Sequence, residues 1–179
     1  MSNQPNREPA DEAIVRRADL DSDQDCRAIV AMIDAYSRDP MGADGPLPDA
    51  IRERLIPGLR EHPTTLVFLA FEPHGADGSH EGPPIGAAVC FLGFSTFAAR
   101  QLINVHDLSV VPEARGRGVG RRLLGAVEAE GRRRGCCKLT LEVLENNRAR
   151  RLYEACGFEQ AEYTGKAGGA LFMMKGLGA

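Results

Sequence analysis

The residues with the clearest chemical demand lie between Leu108 and Gly125, in the run LSVVPEARGRGVGRRLLG. Aliphatic and β-branched residues open it and Pro112 breaks it. Gly116, Gly118 and Gly120 follow, with Arg115, Arg117 and Arg121 around them. Beyond Gly118 the apolar residues Val119, Leu123 and Val127 recur at helical spacing, which predicts a strand, a glycine loop and a helix in that order. A helix start presents unpaired N–H groups and the positive end of its dipole, which suits an anion such as phosphate. Glycines there let the backbone adopt φ > 0 and come close to a ligand. The prediction is a docking place for a phosphate-bearing ligand; the plainer alternative is a glycine loop that serves tight packing alone.

Two common phosphate patterns fail. No Lys follows the loop, as a Walker A sequence requires, and Gly120 comes one residue early for the dinucleotide fingerprint. What fits is Arg115-x-x-Gly118-x-Gly120, followed downstream by LTLEVLENNRARRLYEACGF (Leu139 to Phe158). The first pattern resembles the pyrophosphate signature of GNAT N-acetyltransferases. The second is similar to a later block of that family, with Asn146, Ala149, Leu152, Tyr153, Gly157 and Phe158 at matching spacing. The resemblance is strong from about residue 102 to 175; in the first half it rests on the order of elements.

The resemblance implies an α/β GNAT-like fold: a mixed, mostly antiparallel sheet of about seven strands with about four helices and two splayed parallel strands. It implies acetyl-coenzyme A as cosubstrate. The pantetheine arm would pair with backbone near Leu108, Ser109 and Val110. Amides from Arg115 to Gly120 (Arg115, Gly116, Arg117, Gly118, Val119, Gly120) would hold the pyrophosphate, with Arg121 adding charge, and Asn146 would face the pantetheine arm. It also implies direct transfer without an acyl-enzyme, and a homodimer by family analogy.

Acetyl transfer from a thioester to an amine needs a neutral amine, whose ordinary pKa is about 10.4. It also needs a donor for the tetrahedral oxyanion, and a proton for the departing thiolate. Tyr153, the tyrosine of the matching Leu-Tyr pair, is the proton donor the resemblance implies; helical spacing alone would make it a packing residue. For the base, the strand before the loop offers His106 and Asp107. Neighbouring strand residues point to opposite faces, so at most one should face the site unless a bulge intervenes. Imidazole titrates near pH 6.5 and can take a proton directly or through water. His106 stands where the similar diamine acetyltransferases carry a glutamate, and a neutral imidazole attracts a cationic substrate less. A purely structural role stays open for both residues.

The elements that must position these groups read as follows. Residues 1–12 form a polar tail and 13–179 a single domain. Ile14–Ala18 is a first strand. A helix follows with Ser22 or Asp23 as its N-cap and Ile29, Met32, Ile33 and Tyr36 along one face. Asp39–Asp49 is a loop, and Asp49–Glu61 a second helix with Ile51, Leu55 and Leu59 on one face. Thr64–Phe71 is an apolar strand buried on both sides, Glu72–Pro84 a long mobile connection, and Ile85–Phe94 and Leu102–Val111 further strands. The helix after the glycine loop runs to about Gly135. Lys138–Val143 is a strand and Asn147–Cys156 a short helix stopped by Gly157. Phe158–Thr164 and Ala170–Lys175 are strands around the turn Gly165–Gly169.

Composition narrows the function. The chain has 179 residues, 43% hydrophobic and 26% charged, with a net charge of −3. That is a globular composition and argues against a general nucleic-acid binder. The terminus lacks a signal-peptide core, and no apolar run approaches a membrane span. Five cysteines without C-x-x-C spacing read as free thiols in a cytoplasmic protein. His62, His74 and His80 show no metal-ligand spacing. The expected activity is therefore acetyl transfer to a primary amine of a small molecule or peptide. An acetyl-coenzyme A sensor and a nucleic-acid-interacting domain are the competing readings. The early helices and the Gly165–Gly169 turn would set the acceptor. Asp39, Asp44 and Asp49 would form an acidic rim, unless they serve as turn formers.

Overall fold

The computed structural model describes residues 12–74, 78, 80–160 and 175. Along them run β1 (Ile14–Arg17), α1 (Asp23–Ser37), α2 (Asp49–Glu61), β2 (Thr65–His74), β3 (His80–Ser95), β4 (Arg100–Val110), α3 (Val119–Arg133), β5 (Leu139–Leu141) and α4 (Arg150–Ala155). They fall into two compact units, one ending at Leu141 and one beginning at Glu142.

In the first unit the strands form one sheet in the order β1-β2-β3-β4-β5. Its first three pairings are antiparallel, and β4 with β5 is parallel, as expected. The expected count of about seven strands is not matched: five are present among the described residues. The two others, Phe158–Thr164 and Ala170–Lys175, and the Gly165–Gly169 turn lie mostly outside the described residues; Phe158, Glu159, Gln160 and Lys175 are not in strand.

One face of the sheet is covered by α1 and α2. Ser22 caps α1, its hydroxyl accepting the Asp25 N–H. The apolar stripe Ala28, Ile29 and Met32 then packs with Leu59 of α2 on Val67, Leu69, Phe71, Ala87 and Val89. Ile51 does not share this burial and is 48% exposed. Eight residues at helical pitch leave it about 80° around the axis from Leu59. On the other face Val119, Leu123, Leu124 and Val127 of α3 are buried. The helix comes close there because Gly86 has no side chain: a Cβ would stand 3.1 Å from Leu123 and 3.2 Å from Val119.

The expected long connection at Glu72–Pro84 is mostly strand. β2 and β3 pair out to Pro73 with Glu81 and His74 with His80, with register shifts around Phe71. Proline lacks a ladder N–H, and irregular register is where a sheet accepts it, here at Pro73, Pro83 and Pro84. Glu81 is also anchored by Arg16 of β1, whose guanidinium forks onto the buried Asp25 at 2.6 and 2.7 Å.

Candidate active site

The register of β4 accounts for its polarity. Asp107 pairs with Val89 and Ser109 with Ala87, and both partners belong to the core under α1. Asp107 and Ser109 therefore face α1, as does Asn104 opposite Phe91. Between them Cys90 pairs with Val105, so β4 holds one residue more than β3 over this step. That residue is His106, and it makes a β-bulge.

The bulge brings together the two side chains that regular alternation would separate. His106 Nδ1 lies 3.2 Å from Asp107 Oδ2. A carboxylate only accepts, so Nδ1 donates and the neutral ring keeps its lone pair on Nε2. The imidazole packs edge-on against Phe91 at 5.5 Å, and Phe91 against His62 at 4.8 Å. His106 stays 60% exposed and Asp107 28%. An oriented, solvent-reaching imidazole is suited to accepting a proton.

Tyr36, in the last turn of α1, is drawn into the same neighbourhood. Burial, then the charges of Asp107 and Asp39, push its phenol above the usual range. The buried Cys90 thiol, behind the bulge, is pushed up to about 12 by burial and then by Asp107, so it stays protonated and is no nucleophile.

Beyond the bulge, β4 runs toward the glycine loop. Its pairing with β5 covers Ile103–Val105 against Leu139–Leu141, and among the described residues no strand pairs with Asp107–Val110 on that side. Leu108 and Val110 are half-buried, and the Ser109 hydroxyl is buried without a partner among the described residues. Gly116 and Gly118 take φ of 75° and 85°, the left-handed region that glycine tolerates. Gly120 does not need that freedom: it is buried in the first turn of α3 behind Val119. Gly118 is the N-cap and has no side chain to offer, and the first turn holds no acidic residue. An uncapped, glycine-lined helix start fits a phosphate-bearing ligand such as acetyl-coenzyme A.

Two of the arginine side chains beside the loop are engaged by protein acceptors. Arg115 Nε donates to the Val110 carbonyl at 2.9 Å, and its Nη2 to Asp39 at 2.6 Å. Arg117 forks onto Glu72 of β2. Arg121 is exposed on the first turn of α3. Of the expected acidic rim, Asp39 is paired with Arg115, Asp44 holds a turn at φ 54°, and Asp49 opens α2.

The second unit carries the other two expected residues. Asn146 is exposed in a turn. α4 begins at Arg150, three residues later than expected. The Asn147 side chain accepts the Ala149 N–H at 2.9 Å, a local bond that competes with helix. Tyr153 is buried on α4 with its ring edge-on to Phe158 at 5.9 Å, and Gly157 follows the helix at φ 84°. Among the described residues no cluster of ligating side chains could hold a metal, and no helix is long and apolar enough to cross a membrane.

Sequence reasoning missed Tyr36, Phe91 and the Arg115–Asp39 pair. Tyr36 was visible as the last member of the α1 stripe, where a hydroxyl-bearing residue closes an apolar row. The ion pair spans 76 residues and leaves no local signal.

Comparison with known proteins agrees with this fold. Solved structures share the fold: a probable acetyltransferase superposes with a TM-score of 0.70 at 18% identity, covering 91% of this chain and 99% of that one. The aminoglycoside N-acetyltransferase AAC(6')-Iy in complex with CoA gives 0.67 at 18%, over 96% and 99%. In sequence, the uncharacterized N-acetyltransferase YhfO of Bacillus subtilis (strain 168) is 39% identical over 109 residues, 60% of this chain and 68% of that protein. The thialysine N-epsilon-acetyltransferase of Bos taurus is 36% identical over 91 residues, 50% of this chain; the match spans about half of the relative, 53%. The profile of the acetyltransferase (GNAT) family matches residues 29–158. The chain belongs to the GNAT acetyltransferase family, acyltransferases that use acetyl-coenzyme A.

Proposed function

We propose that this protein transfers the acetyl group of acetyl-coenzyme A to a primary amine of a small molecule or peptide. The observation that carries the reading is the bulge at His106. It aims an oriented imidazole from the same strand that leads into the uncapped, glycine-lined start of α3. Acetyl-coenzyme A supplies an activated acyl thioester. The chain's own groups do the rest. Backbone N–H groups of Gly118–Gly120 at the start of α3 receive the pyrophosphate. The edge of β4 beyond Val105, which no described strand pairs on the β5 side, offers backbone to the pantetheine arm and an N–H to the oxyanion. His106 Nε2 takes a proton from the incoming ammonium, directly or through water, while Asp107 fixes the tautomer. Tyr153, by its place in the family's Leu-Tyr pair, returns a proton to the departing thiolate, and Asn146 contacts the pantetheine arm.

The acceptors named among the relatives and neighbours, thialysine, streptothricin and aminoglycosides, define a first panel, with lysine and spermidine added. The test is release of free coenzyme A thiol when each amine is mixed with acetyl-coenzyme A and protein. Amine-dependent thiol release supports transfer. Binding of acetyl-coenzyme A without release from any amine would leave a sensor, and no binding at all would sink the reading.

A further inference from the structure

The arginine that opens the glycine motif faces away from a ligand role. Arg115 spends its guanidinium on two protein acceptors, the Val110 carbonyl at the end of β4 and the Asp39 carboxylate after α1. Asp39 is largely covered, at 12% exposure, and Arg115 partly, at 33%. Charge-assisted bonds of this kind are strong and directional, and a planar guanidinium can serve two acceptors where an ammonium serves one point. Arg117, two residues on, is likewise forked onto Glu72.

What Arg115 holds matters more than that it is held. The Asp39 N–H donates to the Tyr36 carbonyl at 3.0 Å, and its side chain also accepts the Met41 N–H at 2.8 Å. Asp39 thus ties the last turn of α1 to the start of the 39–48 connection. That turn carries Tyr36, whose phenol feels the charge of Asp107 on the bulge. Through Arg115, the residue next to Gly116, the end of α1 is fastened to the strand that carries His106 and Asp107.

We propose that Arg115 is a positioning residue for the acceptor side of the site and not a ligand of the coenzyme's phosphates. Its clamp fastens Asp39, and with it the last turn of α1 that carries Tyr36, to the end of β4, the strand whose bulge would receive the amine. This role rests on the acetyl-transfer reading above.

The experiment compares wild type with Asp39→Asn, Arg115→Ala, Arg115→Lys and the Asp39→Asn/Arg115→Ala pair. Coenzyme A affinity is measured by calorimetry, and kcat and KM with the best amine of the panel. Loss of the clamp should raise the amine KM about tenfold, the scale of one charge-assisted bond. It should do so in both Asp39→Asn and Arg115→Ala, with the double variant no worse than Arg115→Ala alone, because both single variants remove the Arg115–Asp39 pair. Coenzyme A affinity should stay within about threefold, and Arg115→Lys should recover part of the amine KM. Coenzyme A binding weakened more than tenfold in Arg115→Ala but untouched in Asp39→Asn would make Arg115 a phosphate ligand and overturn the proposal. Additive effects of the two single variants would overturn it as well, since no clamp would exist. Should wild type itself bind no coenzyme A, the acetyl-transfer reading falls first and takes this role with it. Urea midpoints of the same four-protein cycle check that the variants fold and that the pair is coupled in the folded chain.

Discussion

His106 is asked to take a proton from an ammonium, and its geometry makes that request measurable. With Nδ1 committed to Asp107 at 3.2 Å, the free lone pair is on Nε2. Activity should then show an acidic limb, where the medium protonates Nε2 and removes the base. His106→Gln should erase that limb and lower kcat/KM most at neutral pH. At high pH, where more amine is already neutral, the variant should partly recover. Asp107→Asn should lower the rate while keeping the limb, because it disturbs tautomer and orientation and leaves the base in place. If the limb survives in His106→Gln and disappears in Asp107→Asn, the roles are reversed. Tyr153→Phe is a separate test on the second unit. The ring and its contact with Phe158 remain, so stability should hold while turnover falls roughly 10–10³-fold, the range for a lost proton donor. Wild-type turnover in Tyr153→Phe would return the residue to packing.

At the scale of elements, the glycine loop separates strain from ligand binding. A Cβ at Gly118 would meet nothing within 4 Å, yet the residue holds φ 85°. Gly118→Ala should therefore cost only the left-handed backbone penalty, about 1–2 kcal/mol, and keep most of the thermal shift that acetyl-coenzyme A gives by binding the folded state. Gly118→Asp adds a negative charge beside the first-turn N–H groups and should abolish that shift. Equal shifts in the two folded variants would remove the phosphate from this loop. The same elements show what a sequence reveals. The Ser22 cap, the bounds of α2 and the apolar face of α3 were legible because each is encoded within one or two helical turns. The bulge was not, since it exists only as a mismatch between β4 and β3, and His106 reads the same with or without it. Nor was the proline-bearing hairpin at Glu72–Pro84: its prolines mimic a loop until the partner strand supplies the irregular register.

Across the first unit, stability at low pH hangs on carboxylates held by arginines. Glu130, near the end of α3, is bonded by Arg133 at 2.8 Å and Arg134 at 2.6 Å, with Arg17 of β1 at 4.0 Å, and is only 11% exposed. These hydrogen bonds, Arg133 first, outweigh burial and hold its carboxyl down at about 2, against an ordinary 4.5. Asp25 is lowered in the same sense by Arg16, with the Asp19 N–H assisting. The sign follows from linkage: a carboxyl whose folded pKa is depressed binds its proton more readily in the unfolded chain. Its contribution is complete above the unfolded value, near 4.5 for Glu130. It is lost as pH falls from there toward 2. Urea midpoints of wild type should accordingly be level from pH 7 to 5 and decline steeply below 4.5. Glu130→Gln should lower the midpoint at pH 7, show a shallower decline between 4.5 and 2, and converge on wild type at the acid end, where both carry a neutral side chain. Parallel curves for the two proteins through that window would mean that Glu130 does not set the acid limit, and that other lowered carboxyls, Asp25 between β1 and α1 or Asp34 on α1, carry it.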